Sequence, residues 1–161
     1  MTSSPCEIVD ARPADAEAIL ALQKIAYERE ARRYDDWTIP PMVETLDSVR
    51  DQIAHHVVLK AVVDGRLAGS VRGVVTDGVC EVCRLSVDPG LQRRGIGSAL
   101  LVAVEARFPA IEAFELFTGN HSVENLRLYE RHGYRHARTM VLSPAVSLVF
   151  LRKPAPRREP A

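Results

Sequence analysis

The stretch that most restricts the fold is Val79 to Leu101, VCEVCRLSVDPGLQRRGIGSALL. Its first half is a run of β-branched and aliphatic residues. Its second half has helical apolar spacing at Ile96, Ala99, Leu100, Ala103 and Val104, ended by Pro109. Between them lie a Pro-Gly turn and the loop Gln92-Arg93-Arg94-Gly95-Ile96-Gly97-Ser98. A strand that turns through a glycine loop into a helix start aims several main-chain N–H groups and the positive helix end at one point. Such a junction is an anion site, and phosphate is its natural guest. Gly95 and Gly97 have no Cβ to hold an oxygen away, and Arg93 and Arg94 add positive charge at the rim. A Walker A loop needs a lysine where Gly97 stands before Ser98, and a dinucleotide fingerprint needs three spaced glycines inside a βαβ unit. Neither pattern is met, which leaves a phosphate loop of another kind or a ligand-free glycine turn.

The rest of the chain supplies the frame. Strand-like runs occur at Glu7 to Asp10, His56 to Val63, Leu67 to Val75, Val79 to Val87, Ala113 to Thr118, Tyr134 to Leu142 and Val146 to Leu151. Asp64-Gly65 and Asp77-Gly78 separate adjacent runs and signal tight hairpins, so His56 to Val87 reads as an antiparallel meander. Helical spacing at Ile19, Leu22, Ile25 and Ala26, behind Asp15, marks a first helix. Leu46, Val49 and Ile53 mark a second, and Ser122 to His132, closed by Gly133, a fourth after the one at Ile96. Ala31 to Pro41 reads as a loop. The order predicts an α+β fold with a mostly antiparallel sheet.

Composition narrows the partners. With 161 residues a single domain is expected, and 21 basic against 21 acidic side chains leave no charge excess for nucleic acid or an anionic membrane. No apolar run approaches a membrane span and the first residues show no leader pattern, so the chain reads as cytoplasmic. Cys80 and Cys83 spell C-x-x-C, but residues three apart on a strand face opposite ways. No metal site is expected from them.

Gln92-Arg93-Arg94-Gly95-Ile96-Gly97 fits the pattern Q/R-x-x-G-x-G/A, and Leu85-Ser86-Val87-Asp88-Pro89 precedes it as in the GNAT superfamily of acyl-CoA-dependent N-acetyltransferases, which the chain resembles. The likeness continues through Asn125-Leu126-Arg127-Leu128-Tyr129-Glu130-Arg131-His132-Gly133-Tyr134, similar to the second signature L-Y-E-x-x-G-F/Y. It implies a GNAT-like domain over residues 1–152, with a mixed, mostly antiparallel sheet of six to seven strands flanked by about four helices. Residues 153–161 read as a disordered Pro/Arg tail. The resemblance also implies acetyl-CoA as co-substrate and direct attack by a primary amine of a small molecule or protein. The open alternatives are a longer acyl donor and a non-catalytic acyl-CoA-binding sensor. A homodimer is an open possibility for assembly.

By the same resemblance, the loop Gln92, Arg93, Arg94, Gly95, Ile96, Gly97 and Ser98 would hold the cofactor pyrophosphate. The main chain at Leu85, Ser86 and Val87 would pair with the pantetheine arm like an added strand. Asn125 and Tyr129 share one side of the fourth helix with Ser122, a polar strip that a bound cofactor would satisfy, and Tyr129 would protonate the leaving thiolate. Glu81 has the strand parity of Leu85 and Val87, and its spacing before Gln92 resembles that of the catalytic glutamate in some members. It is the expected general base. Glu28, Glu30, Asp35 and Asp36 gather where the family builds its acceptor pocket, or form a solvated helix end beside Arg29, Arg32 and Arg33.

Overall fold

The computed structural model describes residues 5–156. Seven strands form one sheet in the order β1-β2-β3-β4-β5-β7-β6. They are β1 (Glu7–Asp10), β2 (Val57–Val63), β3 (Arg66–Thr76), β4 (Val79–Val87), β5 (Ala113–Gly119), β6 (Arg135–Val141) and β7 (Ser147–Pro154). Only the β4–β5 pairing is parallel. Both Asp-Gly hairpins form with left-handed residues at the two central positions, φ 51° and 73° at Asp64-Gly65 and 50° and 79° at Asp77-Gly78. That backbone matches the twist of the strands it joins.

Five helices cover the two faces: α1 (Ala16–Arg33), α2 (Pro40–Val43), α3 (Leu46–His55), α4 (Ile96–Ala106) and α5 (Val123–Arg131). Ala16 and Ile19 of α1 and Val49 of α3 pack on Val58. Leu59, the next residue of β2, faces the other way and joins Leu100, Leu101 and Val104 of α4 in the main core. The Thr45 hydroxyl caps α3 by accepting from the Ser48 N–H at 3.1 Å.

Three expectations change. The stretch read as a loop is half helical: α1 runs on to Arg33, and Pro40 and Pro41 open α2, where a missing N–H does no harm. Helix α1 turns Ile19, Leu22 and Gln23 inward and leaves Ile25 52% exposed. The reason is polar. The buried Gln23 amide donates to the Pro41 carbonyl at 3.0 Å and to the Glu44 carboxylate at 2.9 Å, and this fixes the helix rotation. Strand β7 runs into the stretch read as a tail: Lys153 and Pro154 pair with Phe114 and Ala113, and Lys153 Nζ meets Glu105 at 2.7 Å. Residues 157–161, the rest of that expected tail, lie outside the described residues. Among the described residues no helix is long and apolar enough to cross a membrane.

Candidate active site

The site begins where two strands part. β4 and β5 pair only from Val79/Ala113 to Glu81/Glu115, although both continue for several residues. Beyond Glu81 the β5-facing edge of β4 has no strand beside it among the described residues. A bulge lies in the same stretch: between Ser70/Ser86 and Arg72/Cys83, β3 advances two residues and β4 three. Arg84 takes the strain at φ 54°, outside the usual region for a side chain of its size.

The bulge corrects the parity reading of Glu81. Glu81 pairs with Val74 and Val87 with Gly69, and these two β3 positions face opposite ways, so Glu81 and Val87 do as well. Glu81 is exposed in a shallow depression with Glu115, Arg138 and Phe150. Arg138 and Arg152 neutralise Glu115 from 2.8 and 3.5 Å.

The wedge between the parted strands is a cavity of about 750 Å³. Leu85, Cys83 and Arg84 of β4 form one wall, Phe117 and Thr118 of β5 another, and Tyr27 and Glu30 of α1 with Tyr34 just after it close it from the side. From α5, Asn125 and Tyr129 reach it together, and the Asn125 amide donates to the Thr118 hydroxyl at 3.3 Å. Leu85, Asn125 and Tyr129 are therefore brought to one place. Burial, with smaller effects from Tyr27 and Glu30, pushes the Tyr129 phenol well above its ordinary pKa. Among the described residues no hydrogen bond engages its hydroxyl.

The glycine loop lies at the other end of the bulged strand. Gly95 is the N-cap of α4 with φ 78°, and a Cβ there would meet nothing within 4 Å. The first helical bond is Ala99 N–H to the Gly95 carbonyl at 3.0 Å, so the N–H groups of Ile96, Gly97 and Ser98 precede the helical ladder. Gln92, Arg93 and Arg94 are solvent-accessible around this point, while the Ile96 side chain is buried beneath it. The Ser98 hydroxyl is engaged by His132 Nε2 at 2.9 Å. The Ser86 hydroxyl donates to the Arg84 carbonyl at 3.1 Å within the bulge.

Two side-chain networks around the cavity escaped the sequence reading. In the first, Glu44 accepts from Arg72 at 3.1 Å, from Arg84 at 3.3 Å and from Ser48 at 2.8 Å. Burial alone would raise its pKa, but hydrogen bonds from Arg72, Gln23 and Ser48 and the Arg72 charge bring it down to about 2. In the second, Tyr34, the C-cap of α1, lies 2.8 Å from the Ser122 hydroxyl, and Ser122 donates to Glu30. Glu30, Asp35 and Asp36 line the cavity, whereas Glu28 points to solvent. No local signal announces these contacts, because their partners are far apart in sequence. Burial pushes the Cys80 and Cys83 thiols up to about 12 and about 11, and the two face opposite sides of the sheet. Among the described residues no group of three or more His, Cys, Asp or Glu is placed to hold a metal.

Comparison with known proteins agrees with this architecture. The Salmonella typhimurium YncA putative acetyltransferase, solved with acetyl-CoA, superposes with a TM-score of 0.75 at 18% identity over 98% of both chains. The Thermoplasma acidophilum PaiA N-acetyltransferase, solved with coenzyme A, gives 0.78 at 16% identity over 93% of this chain and 99% of that one. The Escherichia coli ribosomal-protein-S18-alanine N-acetyltransferase gives 0.79 at 15% identity over 96% and 97%. In sequence, the Bacillus subtilis UPF0157 protein YqkA is 30% identical over 125 residues, 78% of this chain and 36% of its own length. The uncharacterized protein YxbD of the same organism is 31% identical over 80 residues, 48% of this chain and 49% of its own. The chain thus matches about a third to a half of these curated relatives. The model of the Acetyltransferase (GNAT) family matches residues 18–134, most of the chain and both parted strands. The chain belongs to the acetyltransferase (GNAT) family.

Proposed function

We propose that this chain is an acetyl-CoA-dependent N-acetyltransferase that moves an acetyl group to a primary amine. The observation that carries this reading is the parting of β4 from β5. It leaves a strand edge free between a helix start with unpaired N–H groups and a cavity lined by Tyr129. A pyrophosphate fits the N–H groups of Ile96, Gly97 and Ser98, with Arg93 and Arg94 at its rim and the positive end of α4 behind it. An extended pantetheine arm fits the open edge of β4 at Leu85 to Val87 as an added strand, which places a thioester at the cavity.

The chain then acts by position and hydrogen bonding. A main-chain N–H on the free edge near Val87 faces the carbonyl oxygen that turns negative as the amine adds. Tyr129 keeps its proton at any working pH because burial has raised its pKa. It donates a hydrogen bond to the leaving sulfur as charge develops there, and Asn125 orients the same end. No covalent enzyme intermediate is needed.

The loop is tested by Gly97→Val. Cβ at this position has ordinary room, 3.5 Å from Leu128 and 3.8 Å from Val87, and valine is no worse than glycine in a helix. The fold is expected to hold, while a branched side chain beside the anion site disturbs the charge-assisted bonds, a loss of roughly 1.5–3 kcal/mol or about ten- to a hundredfold in acetyl-CoA affinity. Calorimetric titration reads the result. Unchanged affinity in the folded variant returns the loop to a ligand-free turn.

A further inference from the structure

The proposed reaction needs somewhere for the ammonium proton to go, and Glu81 lies outside the cavity. We propose that a three-residue relay, Tyr34 to Ser122 to Glu30, takes that proton at the cavity wall. This rests on the acetyl-transfer reading and adds its proton acceptor.

The hydrogen-bond pattern sets the direction. The Ser122 side chain is fully buried and donates its one hydroxyl proton to Glu30 Oε2, a carboxylate that only accepts. At the 2.8 Å contact between Tyr34 and Ser122, Tyr34 must therefore be the donor. The Tyr34 oxygen accepts the His121 N–H at 2.9 Å and keeps a lone pair for an incoming donor. Tyr34 and Glu30 line the cavity, while Ser122 is sealed behind them. Gly119 makes this arrangement possible, because a Cβ there would stand 2.1 Å from the Tyr34 hydroxyl oxygen.

In the transfer step an N–H bond of the ammonium breaks as its proton passes to the Tyr34 oxygen. The Tyr34 proton passes to Ser122, and the Ser122 proton to Glu30. The amine becomes neutral and nucleophilic, the carboxylate becomes a carboxylic acid, and both hydroxyls are restored. Arg33, 3.2 Å from Glu30 Oε1 on the same helix, holds the carboxylate in place and is itself shared with Glu124 of α5. The other ionisable groups around the cavity are Tyr27, Tyr129, Cys83, Arg84, Asp35 and Asp36. Burial pushes Tyr27, Tyr129 and Cys83 up, so they stay neutral. Glu30 is joined to the cavity through the Ser122 and Tyr34 hydroxyls, whereas Asp36 is held by the single Thr38 hydroxyl at 2.6 Å.

The test is the pH dependence of coenzyme A release from acetyl-CoA with a primary amine, measured for wild type, Glu30→Gln, Ser122→Ala and Tyr34→Phe. Glu28→Gln, on the solvent side of the same helix, is the control. Without the relay, only amine that is already neutral reacts. Each of the three variants should then lose on the order of a thousandfold at neutral pH and recover about tenfold per pH unit toward the amine pKa near 10.4. Acetyl-CoA should still raise the melting temperature of each. A wild-type pH profile in Ser122→Ala overturns the relay even if Glu30→Gln is slow, since Glu30 then acts directly. A pH-rescued loss in Glu81→Gln, with none in the other three, places the acceptor in the neighbouring depression lined by Glu81 and Glu115 and also overturns it. No release by wild type with any amine defeats the transfer reading itself, and the relay with it.

Discussion

Glu44→Ala is expected to lower the unfolding free energy by about 3–5 kcal/mol, a large share of the roughly 5–15 kcal/mol available to a domain of this size. Arg72 is 5% exposed and would be left with its charge uncompensated, and Arg84 and Gln23 would lose the same partner. Among the described residues Arg72 Nε already has no hydrogen-bond partner, so the cluster has nothing in reserve. Replacing both charges, as Glu44→Leu with Arg72→Met, should recover most of that loss, because an apolar pair of similar volume avoids burying ions. The cluster also sets a pH window. The folded pKa of Glu44, about 2, lies below its ordinary value of 4.5, so its contribution is present in full above about pH 4.5 and fades as pH falls toward 2. Urea titration of the single and double variants at neutral and acid pH checks these signs. An undiminished midpoint in Glu44→Ala contradicts the account of the cluster. The variant should reach function as well, since Glu44 ties the end of α2 to β3 and β4 beside the cavity.

Tyr129→Phe is expected to lower kcat by about a hundredfold, the low end for loss of a proton donor, because a thiolate is a tolerable leaving group. The fold should barely notice. The hydroxyl has no hydrogen bond to lose among the described residues, and the ring keeps its edge contact with Tyr134 at 6.2 Å, so stability should stay within about 0.5 kcal/mol. Acetyl-CoA affinity should change little if the hydroxyl acts on the developing charge. A drop in affinity at constant kcat assigns it instead to holding the bound sulfur. Wild-type values for both make Tyr129 a packing residue.

The sequence was most legible where local chemistry decides the structure. Asp64-Gly65 and Asp77-Gly78 place two hairpins because few other pairs accept that turn, and Gln92 to Ser98 announces the helix start at Gly95. Asn125 and Tyr129 could be brought together from helical spacing alone. Legibility stops at the bulge. Arg84 is not a residue that advertises a left-handed backbone, and one unmarked extra residue was enough to turn Glu81 away from the face it was assigned. The relay and the Glu44 cluster were invisible for a different reason. Tyr34 and Ser122 are 88 residues apart, and Glu44 and Arg72 are 28, so these contacts exist only once the helices are set on the sheet. Ile25 is the instructive local failure. Helical spacing puts it in the apolar stripe, yet Gln23 is buried instead because Glu44 and Pro41 satisfy its amide, and Ile25 is left exposed.

The most direct measurement for the central claim is coenzyme A thiol release by the purified chain given acetyl-CoA and a panel of primary amines, alongside its melting curve with and without acetyl-CoA. The account predicts a raised melting temperature, equivalent to about 2.7 kcal/mol at a hundredfold excess over Kd, and thiol release that depends on the amine. A melting curve unmoved by saturating acetyl-CoA contradicts the cofactor assignment, and a clear shift with no release on any amine makes the chain a binding module rather than a transferase.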